Sequence, residues 1–334
     1  MKLHIDIETY SSVDITSAGA YRYCESVDFE ILMVAYAFHD EPVQIVDLAR
    51  GEKLPENFTK ALQDPYFEKH AHNANFERNC FKAIGIDIPL EQWHCSAIKA
   101  AYCGFPLGLA AVSEAMKLEE KGKLATGKAL IRFFSCPIKP TAKNDYTVRN
   151  FPSADPEKWE EYKRYCINDV EAEREITSRL SCYTLPESER YNYILDQQIN
   201  DRGILIDTEM AVNAYAINEK NSLVISEKLK ALTGLENPNS PAQLKKWIGL
   251  AMKKEIKSLD KEAVTALLKE TELDAVREVL ELRSKGSKTS IEKYLAMVNC
   301  VCESGRAHGL FQFYGGFQSY FLFSEIAFPL WAID

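Results

Sequence analysis

No apolar run in this chain approaches the roughly 20 residues that a membrane-spanning helix needs. The longest is ILMVAYAF at 31–38. The opening MKLHIDIE enters a strand pattern directly, with no basic stretch followed by an apolar one, so no secretory leader is expected. Nine cysteines, an odd number, contain no CxxC pair. Cys300 and Cys302 stand nearest each other, and one intervening residue suits neither a zinc site nor a disulfide. Reduced, mostly buried thiols in a cytosolic protein are the expectation. There is no internal repeat. What is present suits a folded protein: 46% hydrophobic residues with ordinary Gly and Pro build full cores, and 334 residues fit about two domains.

A net charge of −9 argues against a nonspecific nucleic-acid coat. Its distribution is uneven. Residues 121–150 carry Lys121, Lys123, Lys128, Arg132, Lys139, Lys143 and Arg149 against the single acid Asp145. Lys245, Lys246, Lys253, Lys254 and Lys257 form a second island, and Arg283, Lys285, Lys288 and Lys293 a third. Such islands on an acidic protein fit contact with a polyanion at chosen places; the plainer alternative is solvated helix faces.

The first 180 residues alternate strand and helix patterns. LHIDIE, EILMVAYAF and QIVDL read as three strands, and a helix opened by Pro55 follows. FEKHAHN reads as a strand entering the helix NFERNCFKAIG, and WHCSA as a further strand. Helices are expected at 96–103, 107–118 and 124–134, then a proline-bearing loop over 135–154. A long helix to about Leu180 should start at Asp155-Pro156, as N-cap and first helical residue. This is an α/β pattern with a mixed central sheet. Beyond Pro186 the chain reads as helical to about 303, apart from ILID at 204–207, with breaks at Gly234, 236–241 and near Gly286.

Three short segments carry the chemistry. In a strand, alternate side chains share a face, so Asp6 and Glu8 of HIDIETY project together. Paired carboxylates repel unless a cation lies between them, and hard divalent cations prefer oxygen ligands. Tyr165 and Asp169 of YCINDV stand one helical turn apart on one face, with Trp159, Tyr162, Ile167 and Val170 as packing residues. Glu77 of HNANFERN falls where a strand passes into a helix, beside Asn73 and Phe76. Each segment alone has an ordinary explanation: a chance D-x-E, a core tyrosine with a solvated aspartate, an acid at a helix start.

In this order, however, D-x-E, N-x-x-F-acid and Y-x-x-x-D resemble the proofreading-type 3′–5′ exonucleases of the DEDD superfamily, tyrosine branch. The resemblance covers about residues 1–183 and implies an RNase H-like fold. It also implies two divalent ions, Mg²⁺ or Mn²⁺, held by Asp6, Glu8, Glu77 and Asp169, with Tyr165 orienting the attacking water. A phenol with a pKa near 10 is a poor base at neutral pH. Thr9, Asn73 and Phe76 are the candidates to contact the terminal nucleotide. Glu77 stands where the family usually has Asp; it keeps the charge and adds one methylene of reach.

The segments YNYILDQQINDRGILID (191–207), NSPAQLKKW (239–247), LRSKGSKTSIEKYLAMV (282–298) and ESGRAHGLFQFYG (303–315) resemble family A DNA polymerases, the DNA polymerase I relatives. They correspond to the start of that family's polymerase module and its thumb. Residues 184–315 are therefore expected to be an all-α, thumb-like domain. The resemblance stops there, and 316–334 is an aromatic tail with six aromatic residues and no Lys or Arg. The expectation is a truncated phage or bacterial polymerase relative, lacking palm and fingers, that degrades DNA 3′ ends and does not polymerise. DNA is the implied partner, as single strands or frayed 3′ ends at the acids and as duplex at the thumb; the implied compartment is the bacterial cytosol. Two alternatives are a DNA-binding subunit completed by a separate palm and fingers polypeptide, and a free-standing RNase D-like exoribonuclease.

Overall fold

The computed structural model describes residues 1–118, 127–286 and 291–314. It divides into two compact units, Asp207–Asn299 and the remainder, in which Met1–Ile206 is joined by the segment beginning at Cys300.

The first unit is built on a five-stranded sheet of order β3-β2-β1-β4-β5. The strands are β1 (Lys2–Tyr10), β2 (Glu30–Phe38), β3 (Gln44–Val46), β4 (Glu68–Ala71) and β5 (Trp93–Cys95). β1, β2 and β3 pair antiparallel, and β4 and β5 extend the sheet parallel to β1. This is the mixed α/β sheet that the RNase H-like expectation requires. One face packs on helices α2 (Glu56–Gln63) and α3 (Asn75–Ala83). There Leu3, Ile5 and Ile7 meet Phe58, Leu62, Phe81 and Trp93. The other face carries α6 (Gly127–Phe134) and the 24-residue α7 (Pro156–Arg179). Leu130, Phe134, Trp159, Tyr162 and Val170 are buried there against Leu32, Met33, Ala35 and Ala37 of β2. Burying each such large apolar side chain stabilises by about 1.5–3 kcal/mol, so β1 is clamped from both sides.

Local signals place the helices. Asp155 accepts from the Lys158 amide and Pro156 opens α7, as expected. Helices α4 (Ser96–Tyr102) and α5 (Leu109–Ala115) precede α6, and α8 (Glu187–Arg202) follows α7. Gly203 ends α8 at φ +61, where an added Cβ would meet the Ala307 carbonyl oxygen at 2.5 Å. That close approach lets β6 (Ile204–Leu205) pair antiparallel with β7 (Arg306–Ala307).

The second unit packs α9 (Thr208–Thr233), α10 (Pro241–Met252), α11 (Lys261–Glu270) and α12 (Asp274–Gly286) around Leu229, Leu244, Ile248, Val279 and Leu280. A further helix, α13 (Glu292–Cys300), follows. Asp207, Ser240 and Asp260 cap α9, α10 and α11.

Three local expectations are corrected. A helix, α1 (Ile15–Cys24), lies between β1 and β2, opened by the Asp14 cap and kinked at Gly19, φ +78. The helical run beyond 207 is also broken at 253–260, where Lys253 turns left-handed, and at 271–273. The helix expected at 107–118 is shorter, Leu109–Ala115, and of the one expected at 124–134 the described part is helical, Gly127–Phe134; residues 119–126 lie outside the described ones. Contacts place α8 with the α/β unit, whereas the resemblance divided the chain by function at 183/184. The reason is an anchor: the buried Arg78 of α3 grips Asp201 of α8 with two hydrogen bonds, 2.6 and 2.9 Å. The aromatic tail lies outside the described residues. Among those described, no helix is long and apolar enough to cross a membrane.

Candidate metal-binding carboxylate site

β1 turns His4, Asp6 and Glu8 toward α7 because its odd-numbered side chains fill the opposite core. The β2 residues paired with His4 and Asp6 are Ala37 and Ala35. Their small side chains leave α7 room to lie close. From α7, Asp169 completes a trio: oxygens of Asp6, Glu8 and Asp169 lie within 4.8 Å of one another. Tyr165, one turn earlier, is buried beside them and its hydroxyl bonds Asp169.

Glu77 enters from the first turn of α3, after Asn73 takes a left-handed conformation at φ +67. It stands outside the 4.8 Å trio but within its field. Its side chain is buried, and Oε2 has no hydrogen-bond partner. Of the nucleotide-contact candidates, Thr9 is buried with its hydroxyl 2.8 Å from that of Tyr23. Phe76 is half-buried with its ring 6.2 Å from that of Tyr23, and Asn73 is exposed.

The electrostatics are those of acids crowded together. Burial, then the charges of Asp169 and Glu8, raise Asp6 well above the ordinary carboxylate range. Burial pushes Glu8 up to about 8; a hydrogen bond from Tyr162 opposes the rise, and Asp169 and Glu77 add to it. Burial and then Asp6 raise Glu77. Burial and the charges of Asp169, Glu8 and Asp6 raise Tyr165 above the ordinary phenol range, so it keeps its proton at neutral pH. An all-oxygen donor set, mutual repulsion and an unpartnered buried carboxylate oxygen together fit hard divalent cations.

Several residues that act here were not singled out from the sequence. Tyr162, read as packing, donates its hydroxyl to Glu8 and lies 2.7 Å from the Ser135 hydroxyl. The buried Cys166 thiol reaches Asp6 Oδ2 at 3.2 Å. Burial and the charges of Asp6 and Glu8 hold that thiol protonated, so it donates. His4 and Glu173 continue the same faces of β1 and α7. The available signal was spacing: His4 stands two residues before Asp6, and Glu173 four beyond Asp169. The first basic island is partly committed. Arg149 pairs with Glu30 at 2.5 Å and stacks on Tyr10, whereas Lys128, Arg132, Lys139 and Lys143 are exposed.

The first unit thus presents clustered acids on a sheet, and a separate helical unit follows it in sequence. Comparison with known proteins finds sequence similarity to a DNA polymerase. The chain is 49% identical over 317 residues to the DNA polymerase of Bacillus phage SP02, covering 94% of this chain and 48% of that protein. The chain thus spans about half the length of the curated relative it matches. Among solved structures, the POL domain of Pol1 from M. smegmatis, in complex with DNA primer-template and dNTP, aligns with a TM-score of 0.51. That alignment has 16% identity over 92% of this chain and 48% of the other, a likeness of fold alone. A structure described as the apo form of a nuclease aligns at TM-score 0.32 and 15% identity, over 58% of this chain and 78% of that one. No protein-family model matches the chain.

Proposed function

We propose that the carboxylate site hydrolyses phosphodiester bonds at the 3′ ends of DNA, releasing mononucleotides, as the proofreading part of a polymerase-type protein. The observation carrying this reading is the approach of Asp6, Glu8 and Asp169 within 4.8 Å, beside a buried Glu77 oxygen that has no partner.

Asp6, Glu8 and Asp169, with Glu77 beside them, would hold the ions. When bound, Mg²⁺ or Mn²⁺ supplies positive charge to the scissile phosphate and the leaving 3′ oxygen and eases deprotonation of water. Tyr162 and Cys166 hold Glu8 and Asp6 in place by hydrogen bonds. Tyr165, keeping its proton, orients the attacking water through its hydroxyl. Thr9, Asn73 and Phe76 flank the terminal nucleotide, and the exposed cations of 128–143 guide the strand backbone. Residues 184–315 act as a thumb-like, duplex-facing part. A bacterial cytosol is the compartment this function implies.

The test is a digestion of 3′-labelled single-stranded and frayed duplex DNA with Mg²⁺, Mn²⁺ or EDTA, with RNA as control. Metal-dependent release of mononucleotides from DNA supports the reading. Equal or faster release from RNA would favour an RNase D-like enzyme. A second reading is a DNA-positioning part that works with a separate palm and fingers polypeptide. Absence of nuclease activity together with co-purification of such a polypeptide would favour it.

A further inference from the structure

A cavity of about 350 Å³ opens in the first unit, away from the carboxylates. Its lining includes Lys2 at the start of β1, Lys99 of α4 and Arg190 of α8. With about 3.3 Å of rise per strand residue, Lys2 lies about 13 Å along β1 from Asp6. The lining contains one acid, Glu68. That carboxylate is already engaged: the His70 imidazole bonds it at 3.1 Å and, as the largest influence, draws it down to about 2.

The cations feel the Glu68 charge but are not bonded to it. Among the described residues, no carboxylate lies within ion-pair distance of Lys2, Lys99 or Arg190. Arg190 directs its guanidinium to two backbone carbonyls, of Trp93 and Glu91, each at 2.8 Å. Carbonyls fix its position without neutralising its charge. The His94 ring stacks on His70 at 4.9 Å, and among the described residues no group hydrogen-bonds to it. The surroundings register the positive field. Burial, then the charges of His70 and Arg190, hold His94 down at about 3. Burial and then Lys2 lower Lys99, and burial lowers Arg190. The hydroxyls of Ser181 and Thr184, also in the lining, make no hydrogen bond among the described residues.

We propose that this cavity binds the phosphate group of a small phosphomonoester. Lys2, Lys99 and Arg190 would supply its counter-charge, and His94, Ser181 and Thr184 its hydrogen bonds. Charge-assisted bonds to a doubly negative phosphate are the strong kind. Inorganic phosphate and a mononucleotide share this chemistry. The volume admits more than the phosphate, and Ile98, Leu185 and Tyr193 give the rest of a ligand an apolar wall. The site needs no metal and stands independently of the nuclease reading.

The test is calorimetric titration of the full chain in EDTA, which keeps a phosphate from binding through metals at the carboxylates. The titrants are inorganic phosphate, dAMP and deoxyadenosine. Binding of phosphate, dAMP or both, with none of deoxyadenosine, supports the proposal and distinguishes the two sources. A Lys2→Gln, Lys99→Gln double variant should then bind about tenfold or more weakly. In parallel, the His94 ring resonances of the unaltered protein should shift on titration while those of His308, which bonds the Asp201 carbonyl outside the cavity, stay put, a readout that survives if the variant misfolds. Absence of binding by both phosphate compounds, unchanged affinity in the folded variant, or a stationary His94 signal would overturn the proposal.

Discussion

The imidazole of His4 and the carboxylate of Glu173 meet at 2.6 Å, both buried, one step along β1 from Asp6 and one turn of α7 beyond Asp169. Thr177 holds the second Glu173 oxygen at 2.7 Å. Burial raises the Glu173 carboxyl, but the bond and charge from His4 outweigh it and leave the group lowered, hence ionised. The pair fixes the register between the strand and the helix that carry the site. His4→Ala should therefore destabilise the protein by roughly 3–5 kcal/mol, because it leaves a buried charge without its partner. Replacing both residues with leucine should recover most of that loss. Urea unfolding followed by tryptophan fluorescence measures both; a single-variant loss under about 1 kcal/mol would show that other contacts set the register.

Gly127 governs Tyr165. A Cβ at this position would lie 2.4 Å from Tyr165 Cε2, so Gly127→Ala must displace the ring. Misplacement of a positioning group near 1 Å costs up to roughly 100-fold in rate. The expected outcome is a slower 3′-end digestion with Mn²⁺ affinity unchanged, matched by Tyr165→Phe and not deepened when the two are combined. Additive losses would separate Gly127 from Tyr165.

The crowded acids set a pH dependence of stability. In the metal-free protein Glu8 titrates near 8 instead of its ordinary 4.5, and Asp6 and Glu77 are also raised. Between those values the folded state keeps protons that the unfolded state releases. The stability contribution is thus full below about 4.5 and lost as pH rises through about 8. Melting temperature in EDTA should fall across this interval, and Mg²⁺ should raise it more at the alkaline end than at the acid end. A metal-free melting temperature that climbs with pH through the interval would contradict the assignment.

The elements most legible in sequence were those with a clean period. EILMVAYAF gave β2 at its observed bounds, and the Asp155-Pro156 start of α7 is where the helix opens. The acids were legible as faces, by alternation in β1 and by a four-residue step in α7. Helix α1 was hidden because Gly19 interrupts its period. The break at Lys253 was hidden because a lysine takes the left-handed conformation usually left to glycine. Tyr162, Cys166, His4 and Glu173 resemble core residues until the strand and helix are laid together, since their partners are distant in sequence. Charge alone did not separate free cations from paired ones: Arg149 is tied to Glu30, and Lys254 to Glu270 at 2.5 Å.

Asp6, Glu8, Glu77 and Asp169 are proposed to hold a pair of divalent ions jointly. Titration with Mn²⁺, followed by electron paramagnetic resonance, tests this most directly. Two Mn²⁺ per chain with mutual spin coupling are predicted, with the coupling lost and affinity weakened beyond the roughly 100-fold that bounds an outer-shell change in Asp6→Asn. Failure to bind, or two sites indifferent to Asp6→Asn, would contradict the account.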